Sequence, residues 1–408
     1  MATIKPFRAL RPRAEIAERV SCVPHDVVSR SEARDFVADN PLSFLRVTRP
    51  RSEFSKRNMP PLPELFERAK SSLERFVRDE VLVRDAEDAI FVYRLSTADH
   101  QQTGIAACCS LDEYEQGLIK KHENVRPDKV AERAQHILAL RAQTGLIFLA
   151  FRGTEDTTRL IGEAANGKPI YDFVSPDGVR QQLWRQTETT AFVKAFRDVP
   201  SIYIADGHHR IEGARLAREK LRVDNPTHDG SEEYNYVMAG LFPAEDLRIR
   251  PYNRVVCDLN NMTEAAFLAK LSECFTVSDT TRASPVEHGE ICMYLSGRWH
   301  DLRFRMECLR ETDPIHSLDV SILQDYLLGP ILGIVDPTTD DRVGFIGGAR
   351  GTEELERAVD SGEAVAAFSL YPTTMDDLLT VSDMGEVMPP KSTWFEPKLK
   401  DGLVVHEI

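Results

Sequence analysis

The strongest structural signal in this sequence is Ile202-Tyr203-Ile204-Ala205-Asp206-Gly207-His208-His209-Arg210. Its four leading apolar residues predict a buried strand, and the glycine predicts a sharp turn. Downstream of the turn, apolar residues recur at the spacing of one helix face: Ile211, Ala214, Ala217 and Leu221. The sequence therefore predicts a strand, a glycine turn and an amphipathic helix in direct succession.

This predicted turn has the features of a phosphate site. A helix that begins directly after Gly207 directs its first N–H groups and the positive end of its dipole toward the turn, where phosphate is the natural ligand. His208, His209 and Arg210 add donors, and the guanidinium of Arg210 can bind two phosphate oxygens. Asp206 can hold Mg²⁺ or accept a proton from an attacking hydroxyl. The competing interpretation is a capped helix start with two surface histidines.

The residues before this turn show both strand and helix patterns. Apolar runs predict paired strands at 89–95 and 104–110, and a strand covered on both faces at 146–151. Helices are predicted after Ser31, after Pro60, and from Pro127 to about Leu140. The mixture predicts an α+β (mixed α/β) fold.

The length of 408 residues predicts two domains, because single domains usually span about 100–200 residues. We place the boundary at Pro251, so that residues 1–250 form a first, catalytic domain that carries the predicted phosphate site and 251–408 form a second α+β domain. The final stretch, 388–398, is rich in polar and rigid residues. We expect this terminal segment to return to the site of the first domain.

The net charge of −14 disfavours nucleic acid as a partner, because an acidic protein repels a polyphosphate backbone. There is no apolar stretch long enough to cross a membrane, and the first residues lack the apolar core of a signal peptide. The expectation is therefore a cytoplasmic protein with no membrane partner.

Further candidate residues lie away from the glycine turn. His122 and Arg126 precede a predicted helix and can bind an anionic substrate, while Glu123 can act as a base or a metal ligand; a solvated loop is the alternative. Asp26 can be a catalytic carboxylate or can satisfy local backbone N–H groups. Lys391-Ser392-Thr393 lacks the glycines of a phosphate loop. It is either a rigid turn that closes over a phosphate site or a structural clasp.

Several motifs together resemble domain-of-unknown-function family 1015, over nearly the whole chain. The motifs are Lys5-Pro6-Phe7-Arg8-Ala9-Leu10-Arg11-Pro12, Pro24-His25-Asp26-Val27-Val28, Asn40-Pro41, His122-Glu123, Ala205-Asp206-Gly207-His208-His209-Arg210, Pro251-Tyr252-Asn253-Arg254-Val255-Val256 and Met388-Pro389-Pro390-Lys391-Ser392-Thr393. The resemblance implies a ParB/sulfiredoxin-like N-terminal domain, in which a similar turn binds nucleotide phosphates. Sulfiredoxin chemistry needs a cysteine where this chain has His208, so sulfinic-acid reduction is not expected.

Some proteins of that superfamily are free-serine kinases, so the resemblance implies transfer of phosphate from ATP or ADP to the hydroxyl of free serine or a similar hydroxy amino acid, with Mg²⁺. Asp206, His209 and Arg210 would then handle phosphate and metal. Asp26 and Glu123 compete as the base. The rival functions are a nucleotide-binding regulatory module of ParB type without turnover, and a phosphate-ester hydrolase. A homodimer is compatible with each of them.

Overall fold

The structure is a computed structural model that describes residues 2–25, 27–310 and 313–408. The described residues fall into two units. The first comprises the chain up to Lys120, Val125–Leu247 and Pro397–Ile408, and the second comprises Lys121–Asn124 and Arg248–Glu396. The end of the chain thus belongs to the first unit.

The first unit is built on a long mixed β-sheet. In hydrogen-bonded order, the strands are Ile119–Lys120, Ile202–Asp206, Ile147–Phe151, Tyr236–Pro243, Gln101–Ser110, Ile90–Ser96, Arg180–Gln186 and Tyr171–Val174, and Ile4–Lys5 also pairs with Gln101–Ser110. Ile202–Asp206 runs antiparallel to Ile147–Phe151 and parallel to the short strand Ile119–Lys120. The strand that carries the predicted turn therefore lies close to one edge of the sheet.

Most of the strands predicted for this sheet are confirmed. Ile90–Ser96 and Gln101–Ser110 are antiparallel neighbours, and every residue of Ile147–Phe151 is buried. Sequence reasoning missed Tyr236–Pro243, which lies between Ile147–Phe151 and Gln101–Ser110. This strand contains Met, Ala and Gly at its centre. Gly and Ala are depleted in strands, so the strand pattern in this part of the sequence is weak. All residues of the strand after Tyr236 are nevertheless buried.

Helices of the first unit are Ala17–Val20, Arg30–Ala38, Leu45–Thr48, Leu62–Arg78, Leu111–Glu115, Pro127–Leu140, Glu155–Ala164, Thr190–Phe196 and His208–Asp224. The helix predicted with Ser31 as its cap is present, but it begins at Arg30, two residues earlier than that cap implies. Ser29 is the cap, because its side chain accepts from the N–H of Glu32 while the Glu32 carboxylate accepts from the N–H of Ser29. This reciprocal pair needs a hydrogen-bonding side chain three positions after the cap, most often Glu or Gln.

An apolar core lies between one face of the sheet and the helices Pro127–Leu140 and His208–Asp224. Alternate strand residues such as Leu149 and Ile204 enter this core, as a period of two requires. The predicted inward stripe of the second helix is confirmed, because these residues are buried: Ile211, Ala214, Ala217 and Leu221. Small alanines on this stripe let the helix lie close to the sheet.

The C-terminal segment is part of the core of the first unit. Val405–Glu407 pairs with Ala9–Pro12 and with Ala142–Gln143 in a small sheet, and Leu82–Arg84 extends that sheet. A Cβ added to Gly240 would lie 2.8 Å from Cδ1 of Leu399, so the segment contacts the large sheet directly. The segment is therefore anchored both by strand pairing and by contact with the large sheet.

The second unit contains an antiparallel sheet with strands Phe275–Thr280, Arg298–Phe304, Glu290–Leu295, Ala366–Leu370, Tyr252–Val256 and Val343–Gly347, in hydrogen-bonded order. Ile249–Arg250 pairs separately with Trp394–Phe395. Its helices are Glu264–Leu271, Asp319–Leu323, Glu353–Asp360 and Met375–Asp383, and Gln324–Leu328 continues the second of them as a π-helical turn. The protein is therefore α+β (mixed α/β), as the sequence predicts.

No helix in the described parts of the chain combines the length and the apolar character needed to cross a membrane.

The burial of His136 predicts a loss of stability in acid. Its side chain is 3% exposed, and its Nε2 lies 2.9 Å from the carbonyl oxygen of Val47. Burial, reinforced by the charge of Arg133, lowers the pKa of His136 to about 3. An unfolded chain takes up this proton near pH 6.5, before the folded protein does. We expect this group to lower the free energy of unfolding by about 1.4 kcal/mol per pH unit between about pH 6.5 and pH 3.

Urea unfolding at a series of pH values measures this slope. His136→Gln keeps an N–H donor for Val47 but removes the titrating ring, so its pH dependence should be flatter by that amount. The control Ile137→Val should lower stability by about 0.5–1.5 kcal/mol while its pH slope stays that of the unchanged protein. Equal slopes in His136→Gln and the unchanged protein would contradict the prediction.

Candidate functional site

The predicted strand, glycine turn and helix are present as Ile202–Asp206, Gly207 and His208–Asp224. The pairing of the strand with Ile147–Phe151 shifts register between Ile204 and Asp206, where the strand ends. Gly207 has φ of 103° and ψ of 26°, in the left-handed region, and a Cβ there would lie 3.0 Å from Nε of Arg210. Glycine is required for both reasons, since other residues rarely adopt this conformation.

The side chain of Arg210 folds back over this turn. Its Nη1 donates a hydrogen bond of 2.6 Å to the carbonyl oxygen of Leu146, and its Nη2 lies 3.7 Å from Oδ1 of Asp206. The side chain is 13% exposed. Two contacts therefore hold the guanidinium in a defined place beside the helix start.

Lys398 contacts the same carboxylate from the C-terminal segment. Its Nζ lies 2.7 Å from Oδ2 of Asp206, and its side chain is 15% exposed. Sequence reasoning missed this residue. The polar and rigid stretch 388–398 was the available signal, but the part of it that resembles the end of a phosphate loop is Lys391-Ser392-Thr393, and Lys398 lies outside that part. The structure places two cations, Arg210 and Lys398, around Asp206.

A second helix begins beside the glycine turn. The backbone N–H of Arg126, the residue before the helix Pro127–Leu140, donates a 3.0 Å hydrogen bond to Nε2 of His209. Further along, a Cβ on Gly213 would lie 2.7 Å from Cβ of Arg133. The two helices therefore run side by side in the same direction, and their N-termini are neighbours. Each N-terminus carries roughly half a positive charge.

The two histidines of the turn have different surroundings. His208 is 5% exposed, so its ring lies inside the protein. His209 accepts from Arg126, which places the lone pair of Nε2 on that N–H and leaves the ring proton on Nδ1. The side chain of Arg126 turns instead to Asp128, with nitrogen-to-oxygen distances of 3.2 and 3.1 Å. His209 thus links the two helix starts.

A cavity of about 40 Å³ has Arg210 in its wall. Its polar lining residues are His25, Thr48, Arg133, His136, Gln143, Thr144, Arg210 and Asp401. Arg210 is consequently neither sealed in apolar core nor spread on open surface. Asp26, the neighbour of His25 in the sequence, lies outside the described residues.

The remaining predicted site residues lie in the second unit. His122 is buried, and its Nε2 lies 3.2 Å from Oγ1 of Thr393. The N–H of Met388 donates to the carbonyl oxygen of His122 at 2.8 Å. Glu123 follows as a partly buried residue. The structure thus brings His122 together with the Lys391-Ser392-Thr393 turn.

Buried Arg254 holds that turn. Its Nη2 donates to the carbonyl oxygens of Pro390 and Lys391 at 3.2 and 3.1 Å, and burial lowers its pKa to about 10. Lys391 has φ of 61°, which is uncommon for a residue with a Cβ. Ser392 also donates to the carbonyl oxygen of Pro389 at 2.6 Å. The segment is therefore a hydrogen-bonded turn, and Nζ of Lys391 lies 5.8 Å from the Tyr252 ring centre.

The donor set at Asp206 fits a metal that arrives with phosphates. Within the described residues, no three His, Cys, Asp or Glu side chains are grouped to hold a metal ion. Mg²⁺, however, is usually bound by one or two carboxylates together with substrate phosphates. Asp206 can supply such a carboxylate if Lys398 moves from it to the phosphate.

Among curated proteins, none matches this chain. Among solved structures, the chain is similar to a conserved hypothetical protein from Pyrococcus furiosus, with 13% identity, a TM-score of 0.37, and coverage of 74% of this chain and 95% of that one. It is also similar to a free serine kinase in complex with AMP, with 12% identity, a TM-score of 0.37, and coverage of 73% and 91%. A third similar structure is C-terminally truncated SbnI from Staphylococcus aureus, with 12% identity, a TM-score of 0.40, and coverage of 74% of this chain and 87% of that one. These TM-scores are too low for the structural similarity to assign a function to this chain.

The model of the family described as "Protein of unknown function (DUF1015)" matches residues 4–321. This region includes the turn Asp206–Arg210 and both neighbouring helices, and it ends before Lys398. Because the match covers well over half of the 408 residues, the chain belongs to the DUF1015 family.

Proposed function

We propose that this protein is a small-molecule kinase that binds the phosphates of ATP or ADP at Asp206–Arg210 and phosphorylates free serine or a similar hydroxy amino acid. One observation carries the phosphate site: two helix N-termini, Arg210 and Lys398 converge on a single glycine turn. Helix N-termini with added cations are established binding places for phosphate. The acceptor is taken from the resemblance to free-serine kinases, not from the geometry.

The site suits phosphoryl transfer because its charges are already in position. The transferred group passes through a transition state whose negative charge is spread over three oxygens, so catalysis depends mainly on placement and electrostatic stabilisation. Arg210 is held by Leu146 and lies near Asp206, and backbone N–H groups at a helix start are fixed by the helix itself. Donors of this kind need little reorganisation during the reaction.

In the proposed reaction, the acceptor hydroxyl oxygen bonds to the terminal phosphorus while the bond from that phosphorus to the leaving nucleotide oxygen breaks. The hydroxyl proton passes to a carboxylate. Asp26 and Glu123 stay the two proposed bases. Asp206 is the proposed partner of Mg²⁺, which when bound would offset phosphate charge.

Other residues keep the roles proposed from the sequence. His122 and Arg126 are proposed to bind the acceptor, and Lys391, Ser392 and Thr393 to bind the nucleotide. His208 and His209 belong to the proposed phosphate turn, with His209 fixing the spacing of the two helix starts through Arg126.

The deciding experiment incubates the purified protein with Mg²⁺, a panel of nucleotides and pooled amino acids, and identifies products by mass spectrometry. A phosphorylated hydroxy amino acid supports the kinase. Nucleotide binding with every reactant unchanged would support a regulatory module of ParB type instead. Loss of nucleotide phosphate without a phosphorylated acceptor would indicate a hydrolase.

Removal of the Arg210 side chain should impair the chemical step. We expect Arg210→Ala to lose about 2–4 kcal/mol of transition-state stabilisation, or roughly 30- to 900-fold in kcat, as when one oxyanion donor is removed. The matched control is Arg215→Ala on the same helix, whose side chain pairs with Glu212 and Glu219. Product formation over time measures both variants. Full activity in Arg210→Ala would refute the assignment.

A methyl group on Gly207 should weaken nucleotide binding. Gly207→Ala forces a left-handed residue with a Cβ, at a cost of about 1–2 kcal/mol, and displaces Arg210. Gly117 is a matched control, because its φ is 77° and a Cβ there has no atom within 4 Å outside its chain neighbours. We expect similar losses of thermal stability in the two variants. Calorimetric titration with ATP and ADP should show weaker binding only for Gly207→Ala, and equal affinities would contradict the prediction.

A further inference from the structure

We infer that Lys398 binds the terminal phosphate of the nucleotide, so that the C-terminal segment decides how many phosphates the site prefers. This inference rests on the proposed phosphate site at Asp206–Arg210. It assigns a specific role to a residue that lies beyond the matched family region, residues 4–321.

The position of Lys398 is the first support. Its Nζ lies 2.7 Å from Oδ2 of Asp206, the last residue of the strand that leads into the glycine turn. Arg210 approaches the other oxygen of the same carboxylate. A phosphate placed at the helix start would therefore meet Lys398 and Arg210 on either side of Asp206. Lysine binds phosphate as a mobile point charge, so it can move from the carboxylate to the ligand.

The residues around Lys398 hold its backbone in place. Gln102 donates through Nε2 to the carbonyl oxygen of Pro397 at 3.4 Å, and Leu399 is 4% exposed against the large sheet. The N–H of Lys400 donates to the hydroxyl of Tyr93 at 3.2 Å, and its Nζ pairs with Asp177. The lysine thus extends from a fixed stretch of chain, which reduces the entropy lost when it binds a ligand.

The local charge gives Lys398 a clear effect. The charges of Arg210 and Asp206 cancel each other, so the two helix N-termini leave a net charge of roughly plus one at the turn. Adding Lys398 raises the total to about two, which suits a phosphate group carrying two negative charges. The affinity gained from Lys398 should therefore grow with the charge of the phosphate chain.

The alternative is that the pair of Lys398 and Asp206 only anchors the C-terminal segment. Other contacts already anchor that segment. Cys22 and Asp401 exchange backbone hydrogen bonds of 3.0 and 2.9 Å, and Val405–Glu407 is paired on both sides within its sheet. A lysine–carboxylate pair as buried as this one usually adds little net stability, because the desolvation of both charges offsets their attraction. The segment is thus anchored without Lys398, and the pair lies where an anion would bind.

Titration calorimetry with AMP, ADP and ATP tests the inference on the full-length protein. In the unchanged protein, affinity should rise from AMP to ATP. Lys398→Met should weaken ATP binding by roughly 10- to 100-fold, the scale of one hydrogen bond to a charged group, and weaken AMP binding much less. Lys398→Arg, which keeps the charge, should retain most of the preference for ATP.

Lys400→Met is the matched control from the same segment, because its Nζ pairs with Asp177 and not with Asp206. It should lower the unfolding temperature while the ratio of ATP to AMP affinity stays unchanged. If Lys398→Met keeps that ratio, or loses all three affinities equally together with thermal stability, the inference is overturned and the proposed phosphate site stands. If the unchanged protein binds none of the three nucleotides, the proposed function itself fails.

Discussion

The left-handed backbone of Gly207 controls the geometry of the candidate site. A residue with a Cβ at this position would meet both backbone strain and the Arg210 side chain. With glycine, the chain leaves the sheet after Asp206 and enters a helix at once. The helix start, the carboxylate at the strand end and the guanidinium of Arg210 consequently share one small region.

Close packing of two helices strengthens that region. Gly213 allows His208–Asp224 to approach Pro127–Leu140 so closely that a methyl group would collide with Arg133. The approach aligns the two N-termini, and the hydrogen bond from Arg126 to His209 sets their spacing. Two helix dipoles directed at one place attract an anion more strongly than one.

The site is locally positive although the protein as a whole is acidic, with a net charge of −14. A positive site is compatible with a negative net charge, because salt screens charges separated by more than about 8–10 Å at ordinary ionic strength. Lys398, Arg210 and the helix starts lie within contact distance of the turn, whereas acidic surface residues elsewhere are screened. Overall charge argues against a nucleic-acid backbone as partner and leaves a small phosphate ligand acceptable.

Local patterns in the sequence determined the strand, the glycine turn and both helices beside it, because alternation, helical spacing and glycine or proline positions act over a few residues. They also pointed to Asp206, His209 and Arg210 as one group. Tertiary structure alone decided that Lys398 meets Asp206, 192 residues away, and that Arg126 meets His209 across 83 residues. Contacts between residues so far apart in the sequence depend on the strand order of the sheet and on where the C-terminal segment packs. Neither can be predicted from patterns that span only a few residues.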